Sequence, residues 1–142
     1  MNLNFEELKE LLNKTEVIYL ATSENDNVTS RPVSPLCIGE TIYIRTSESS
    51  LKAQQMKKNP NTSICIGNFY FTASATCLGS DSLDENETVK NAYKERYPEA
   101  FSEEDEFIQK DEVFFELKPV KVFQWICKDD IPVGLAEKVF TV

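Results

Sequence analysis

Residues 42–60 read IYIRTSESSLKAQQMKKNP. Over 42–45 apolar and polar residues alternate, with Ile42 and Ile44 on one face and Tyr43 and Arg45 on the other, the two-residue period of a half-buried strand. A polar turn occupies 46–50. A short helix over 51–58 follows and stops at Asn59 and Pro60, because proline cannot continue a helix and restricts the residue before it. Four hydroxyls lie in the turn, on Thr46, Ser47, Ser49 and Ser50, and Lys52 sits in the first turn of the helix. The first amides of a helix have no intrahelical acceptor and carry the positive end of its dipole, so hydroxyls and a lysine at that end suit a phosphate. The same residues equally suit an ordinary capped helix, with Ser50 as N-cap and Lys52 on the surface.

Outward from this stretch the chain is mostly strands. Upstream, residues 4–14 form an amphipathic helix: Asn4 can cap it, Glu7 holds the capping-box position, and Phe5, Leu8, Leu11 and Leu12 make one stripe. Residues 17–21, VIYLA, are a strand, and 24–27 a hairpin turn. Residues 28–38 form a strand carrying Pro32 and Pro35; since proline donates nothing to a ladder, this strand is an edge or is broken there. Downstream, 62–67 is a strand with Ile64 and Ile66 inward. Residues 69–78 are another, with Phe69, Phe71, Ala73, Ala75 and Cys77 on one face and Gly79 at its end.

Residues 84–97 carry a helical stripe of Val89, Ala92, Tyr93 and Tyr97, ended by Pro98. A second short helix is expected from Ser102 through Ile108. Residues 113–126, VFFELKPVKVFQWI, are the longest strand signal, and Pro119 inside it implies a bulge or two consecutive strands. In the tail, a turn at 129–132 and one short strand are expected. Strands in succession, without regular strand–helix alternation, fit a mainly β fold: one domain over residues 1–142, an antiparallel barrel with peripheral helices.

Composition narrows the function. The chain is 41% hydrophobic and 27% charged, as in a soluble globular protein. Its net charge of −9 argues against nucleic-acid or anionic-membrane partners. The charge is uneven: residues 28–68 hold five basic and two acidic residues, whereas 81–112 hold twelve acids and four bases. A cationic window on an acidic protein suits a small anion. Histidine is absent, which removes the commonest general base and transition-metal ligand. Cys37, Cys65, Cys77 and Cys127 have no metal-ligand spacing; they read as buried free thiols of a reducing compartment, so the chain is expected in the cytoplasm, without a bound metal. The acidic amphipathic N-terminus is neither a signal peptide nor a membrane span.

Three segments in this order resemble a known family: Ser30-Arg31-Pro32-Val33 on the second strand, Thr46 with Ser50 and Lys52, and Asn59-Pro60 before the strand 62–67. The chain is similar over roughly residues 3–126 to the pyridoxamine 5′-phosphate oxidase-like FMN-binding split barrels, and within them to the small members related to general stress protein 26. The resemblance implies a six-stranded split barrel that forms a homodimer with FMN in a groove between subunits. It assigns the FMN phosphate to Lys52, Ser50 and Arg31. Arg45, Thr46 and Ser47 would line the phosphate–ribityl side, and the backbone of Pro32, Val33 and Ser34 the flavin ring. Leu51 stands where true oxidases often carry Arg. The chain also ends without the Arg- and His-bearing arm that grips pyridoxamine phosphate in those enzymes. A flavin-dependent oxidoreductase acting on an unidentified small molecule, with a nicotinamide as possible donor, is therefore expected rather than a true pyridoxamine 5′-phosphate oxidase. The alternative is a non-catalytic flavin-binding or stress-related protein; F420, or no cofactor, are the alternatives to FMN.

No side chain is marked as a catalytic acid or base. Trp125 beside Phe123 is either a stacking platform or a core or dimer-interface residue. The run Phe69-Tyr70-Phe71 either walls a pocket or packs the core. Cys37 is either a redox or a structural thiol. Asp129-Asp130 is either a cation site or a turn.

Overall fold

The structure, a computed structural model, describes residues 2–101 and 111–140. The expected helix beginning at Ser102 lies outside the described residues. Helix α1 (Phe5–Lys14) leads into strands β1 (Ile18–Glu24), β2 (Asn27–Val33), β3 (Leu36–Ile38) and β4 (Thr41–Ser47). Helix α2 (Leu51–Lys58) precedes β5 (Asn61–Ile66) and β6 (Phe69–Ser80), then α3 (Glu87–Arg96), β7 (Glu112–Lys128) and β8 (Ile131–Val139). Single 3₁₀ turns flank α3 at Asp84–Asn86 and Pro98–Phe101.

The eight described strands form one antiparallel sheet in the order β2-β1-β5-β6-β7-β4-β3, with β8 also on β7. The end strands of that path, β2 and β3, are joined by Ser34 and Pro35 alone. Two residues span at most about 10 Å between flanking Cα atoms, so the sheet is curled until its ends meet. No ladder joins those ends among the described residues, which leaves the barrel split along a seam. Both prolines sit there: Pro32 on the edge strand opposite Tyr19, and Pro35 in the break.

Among the described residues there are eight strands rather than the expected six. The stretch 28–38 divides into β2 and β3, and the tail supplies β8, nine residues long rather than short. β7 explains how Pro119 is tolerated. Its first part pairs with β4, its last part with β8, and Pro119 lies at the changeover, beside a register shift against β6. Two tight hairpins have both turn residues in the left-handed region, Asn25-Asp26 and Asp129-Asp130. Asn and Asp tolerate that conformation, and it matches the strand twist; Asp129-Asp130 is therefore a turn.

The inward residues Ile18, Leu20, Ile42, Ile44, Ile64, Phe71, Phe115 and Leu117 fill the barrel, and α1 adds Phe5, Leu8 and Leu12. Each such side chain contributes about 1.5–3 kcal/mol by leaving water. Asn4 caps α1 by accepting from the Glu6 amide at 3.0 Å. Glu7 does not complete the capping box; its carboxylate accepts from Gln124 at 3.2 Å. A second cluster, Leu36, Tyr93 and Phe114, with Tyr43, Val89, Ala92 and Tyr97 packed on it, joins α3 to the outer face of β3, β4 and β7.

Candidate functional site

Helix α2 leaves β4 through a three-residue turn and carries its buried residues Ala53, Gln55 and Met56 onto the barrel. Gln55 accepts hydrogen bonds from Thr22 of β1 and, at 2.9 Å, from Thr29 of β2. The helix thus connects β4 with the β1–β2 edge.

Arg31 comes from β2, opposite Leu20, and is held by that edge. Its Nη1 donates to the Leu20 carbonyl at 3.1 Å and the Thr22 hydroxyl at 2.8 Å, and its Nη2 donates to the Thr29 hydroxyl. All three acceptors are neutral. Burial lowers the guanidinium's pKa, and Arg31 enters no ion pair among the described residues. Lys52, in the first turn of α2, is half-buried. Its pKa is lowered by that burial and then by the charge of Arg31, against an opposing pull from Glu112. Lys52 also enters no ion pair among the described residues. Two partly desolvated cations, the guanidinium close enough to perturb the lysine, are an arrangement that an anion beside them relieves.

The helix start adds donors. Ser50 is the N-cap: its hydroxyl accepts from the Ala53 amide at 3.3 Å and its carbonyl from the Gln54 amide at 3.0 Å. Thr46, buried on the inner face of β4, hydrogen-bonds the Ser50 hydroxyl at 3.1 Å. The amides of Leu51 and Lys52 have no acceptor among the described residues. Ser50 thus caps the helix as expected, while Lys52 is half-buried near Arg31 instead of standing free at the surface.

Not every expected residue joins this group. Arg45 and Thr46 are strand neighbours, so they point to opposite faces. The Arg45 side chain, 9% exposed, is bound to Asp81 at 2.8 and 2.9 Å and to the Ala100 carbonyl at 2.6 Å, and it lies 4.0 Å over the Phe101 ring. It ties β4 to the outer layer instead of lining the phosphate side. Ser47 donates to Asp111 at 2.6 Å, and the Ser49 amide donates to the same carboxylate at 3.0 Å. These bonds hold the Asp111 carboxyl below its ordinary range. A cleft of about 290 Å³ beside them is lined by Glu48, Asp111 and Glu112, carboxylates that disfavour an anion. Ser47 is thus engaged by Asp111.

Pro32, Val33 and Ser34 end the strand that bears Arg31. Pro32 is exposed and Val33 buried against the core, while the Ser34 carbonyl accepts from the Tyr93 hydroxyl at 2.9 Å. The residues that escaped the sequence reading are Thr22, Thr29 and Gln55. Only Gln55 left a trace, as a polar residue on the buried stripe between Ala53 and Met56.

The thiols depart from expectation. Cys37 is buried, with its pKa pushed up to about 11 by burial, but Cys77 is only partly covered and Cys65 and Cys127 are exposed. On the sheet's outer face, register aligns Pro32, Tyr19, Cys65, Tyr70 and Phe123 in one row. Tyr70 stacks on Phe123 with centroids 4.9 Å apart and lies 6.4 Å from Trp125. Tyr19 is 57% and Trp125 43% exposed, so neither belongs to the core. No helix among the described residues is long and apolar enough to cross a membrane, and none of their His, Cys, Asp or Glu side chains cluster as a metal site.

The model of the family described as pyridoxamine 5′-phosphate oxidase matches residues 5–126. The chain belongs to the pyridoxamine 5′-phosphate oxidase family. Solved structures carry the same fold at low identity. General stress protein 26 from Bacillus anthracis str. Sterne is 17% identical, with a TM-score of 0.58 over 84% of this chain and 92% of that one. An FAD-binding protein from Mesorhizobium loti is also 17% identical, with a TM-score of 0.65 over 84% and 92%. The haem storage protein HutZ from Vibrio cholerae is 22% identical, with a TM-score of 0.66 over 84% and 91%. Among curated proteins none matches the chain.

Proposed function

We propose that the Arg31–Lys52 site takes the phosphate of FMN, and that the protein is a cytoplasmic flavin-dependent oxidoreductase acting on a small molecule. The observation that carries this reading is the pair of partly buried cations, Arg31 held by neutral partners and Lys52 near enough to feel its charge. A phosphate dianion between them turns mutual repulsion into charge-assisted hydrogen bonds. Ser50, Thr46 and the amides of Leu51 and Lys52 add neutral donors at the positive end of α2. Pro32, Val33 and Ser34 continue from Arg31 and would flank the ring.

Bound flavin supplies hydride-transfer chemistry, while the protein orients it and tunes its electronics. Arg31 and Lys52 would fix the phosphate end, and Val33, packed on the core, would hold the ring strand in place. FAD binding by the Mesorhizobium relative supports a flavin in this fold. Haem storage in the Vibrio relative points to another ligand class. The absence of histidine here takes away the commonest axial ligand for haem iron.

The exposed row Tyr19–Tyr70–Phe123, with Trp125 beside it, supports a homodimer. Large exposed aromatic surface marks an interface more often than bare solvent contact. Because Pro32 ends this row, a second copy docked there would place the flavin site at the subunit boundary.

Titration with FMN, followed by quenching of flavin fluorescence, tests the binding. Saturable quenching is expected, and none at saturating FMN would overturn it. Stopped-flow mixing of the FMN-loaded protein with NADH or NADPH then tests turnover. Rapid bleaching of the flavin band supports an oxidoreductase; an unreduced flavin with every donor supports a binding protein without turnover.

A further inference from the structure

Gln55 is 3% exposed, and its side-chain oxygen accepts from both Thr22 and Thr29. Each threonine hydroxyl, having donated to Gln55, presents its oxygen to one nitrogen of the Arg31 guanidinium. The chain of donors has one direction: Arg31 to Thr22 and Thr29, and both to the Gln55 carbonyl oxygen. A hydroxyl that donates to an amide oxygen becomes a better acceptor, so the three neutral residues hold Arg31 cooperatively. They also hold it without cancelling its charge. A carboxylate is the usual partner of a buried arginine in such a place, and Arg45 in this chain has one in Asp81. Arg31 has an amide where Arg45 has an acid.

We infer that Gln55 is a positioning residue that fixes Arg31 through Thr22 and Thr29 while leaving its charge whole, and so selects a dianionic phosphate monoester over an uncharged flavin. This rests on the proposed phosphate site and names what the site discriminates. Riboflavin has the same ring but no phosphate, so the network gives it nothing. The lowered pKa of Arg31, caused by burial alone, agrees with a guanidinium that the network holds without a carboxylate.

Gln55→Glu tests the idea because it changes one atom and adds one negative charge two hydrogen bonds from the guanidinium. Kd values for FMN and riboflavin are measured by fluorescence quenching on the wild type and the variant. FMN affinity should fall about tenfold or more, as loss of a charge-assisted contact implies, while riboflavin affinity moves less than about twofold. A purely structural defect would weaken both flavins together, and a folded Gln55→Glu that keeps the wild-type FMN-to-riboflavin ratio would overturn the inference. Should Gln55→Glu fail to fold, Gln55→Met removes the acceptor without adding charge, and the same selective loss of FMN is required of it. Inorganic phosphate is the second probe: it should raise the wild-type Tm above that in chloride of equal ionic strength, and raise it less in the variant. A wild type that ignores flavins but shows this phosphate effect overturns the flavin reading and keeps the inference. A wild type indifferent to FMN and phosphate overturns both.

Discussion

Arg31, on edge strand β2, and Lys52, in the first turn of α2, lie close enough that the guanidinium helps push the lysine's pKa down. The two residues are 21 positions apart in sequence and meet because α2 packs on the β1–β2 edge through Gln55. Without a ligand this proximity costs stability, and with an anion it becomes the grip. Lys52→Met should therefore leave the ligand-free Tm unchanged or higher, while weakening FMN binding at least about tenfold. Lys52→Glu should abolish binding. Thermal melts and fluorescence titrations of the same samples check both.

The same pair sets a pH dependence. The pKa of Lys52 is lower in the folded protein than its ordinary 10.5. Between the folded value and 10.5 the unfolded chain binds more protons, so stability contributed by this group rises with pH across that window. Below it the full penalty of a buried, repelled ammonium is present. Urea titrations should show the wild type gaining on Lys52→Met as pH climbs toward 10.5. A difference that stays constant with pH would remove Lys52 from the account.

Cys37 behaves in the opposite sense. Burial raises its pKa from 9.0 to about 11, so its stabilising contribution is complete below pH 9.0 and is lost as pH rises to about 11. Cys37→Ala should flatten that part of the stability profile. In the native protein a maleimide should label exposed Cys127 readily and Cys37 only on unfolding, as mass spectrometry of labelled peptides will show; Cys65, which sits in the proposed interface row, should label readily only in a monomeric variant.

Arg45 should be a stability residue. Removing it leaves Asp81 without its partner and uncovers Phe101. Arg45→Ala is expected to cost about 3 kcal/mol in urea unfolding, the order found when one member of a largely buried pair is deleted. FMN affinity should change less than about twofold. A large loss of FMN affinity in a stably folded Arg45→Ala would return Arg45 to the binding site.

The aromatic row should hold the dimer. Tyr70→Asp and Trp125→Asp place charges on the outer face without touching the core, and each should convert a dimer to a monomer in sedimentation velocity. A wild type that sediments as a monomer at high concentration would contradict the dimer.

Much of this was legible in the sequence because it is written in short-range pattern. Alternation marked β4, β5 and β6, and the Ser50 cap with Asn59-Pro60 bounded α2. The same alternation, followed through, would have separated Arg45 from Thr46 and turned Cys65 outward between Ile64 and Ile66, against the expectations that grouped Arg45 with Thr46 and buried all four thiols. What local pattern could not carry is pairing between distant strands. Pro119 is harmless only because β7 changes partners there, from β4 to β8. Thr22, Thr29 and Gln55 are neutral residues from three elements, and nothing but the fold brings them to one guanidinium. The acid that claims Ser47, Asp111, is likewise 64 residues away.

The central claim is that Arg31 and Lys52 jointly bind the phosphate of FMN, and a crystal structure grown in saturating FMN tests it most directly. The account predicts phosphate density within hydrogen-bonding distance of both the Lys52 ammonium and the Arg31 guanidinium, with Ser50 alongside. Flavin bound with its phosphate elsewhere, or a site at the start of α2 that stays empty while FMN is present in excess, would contradict it.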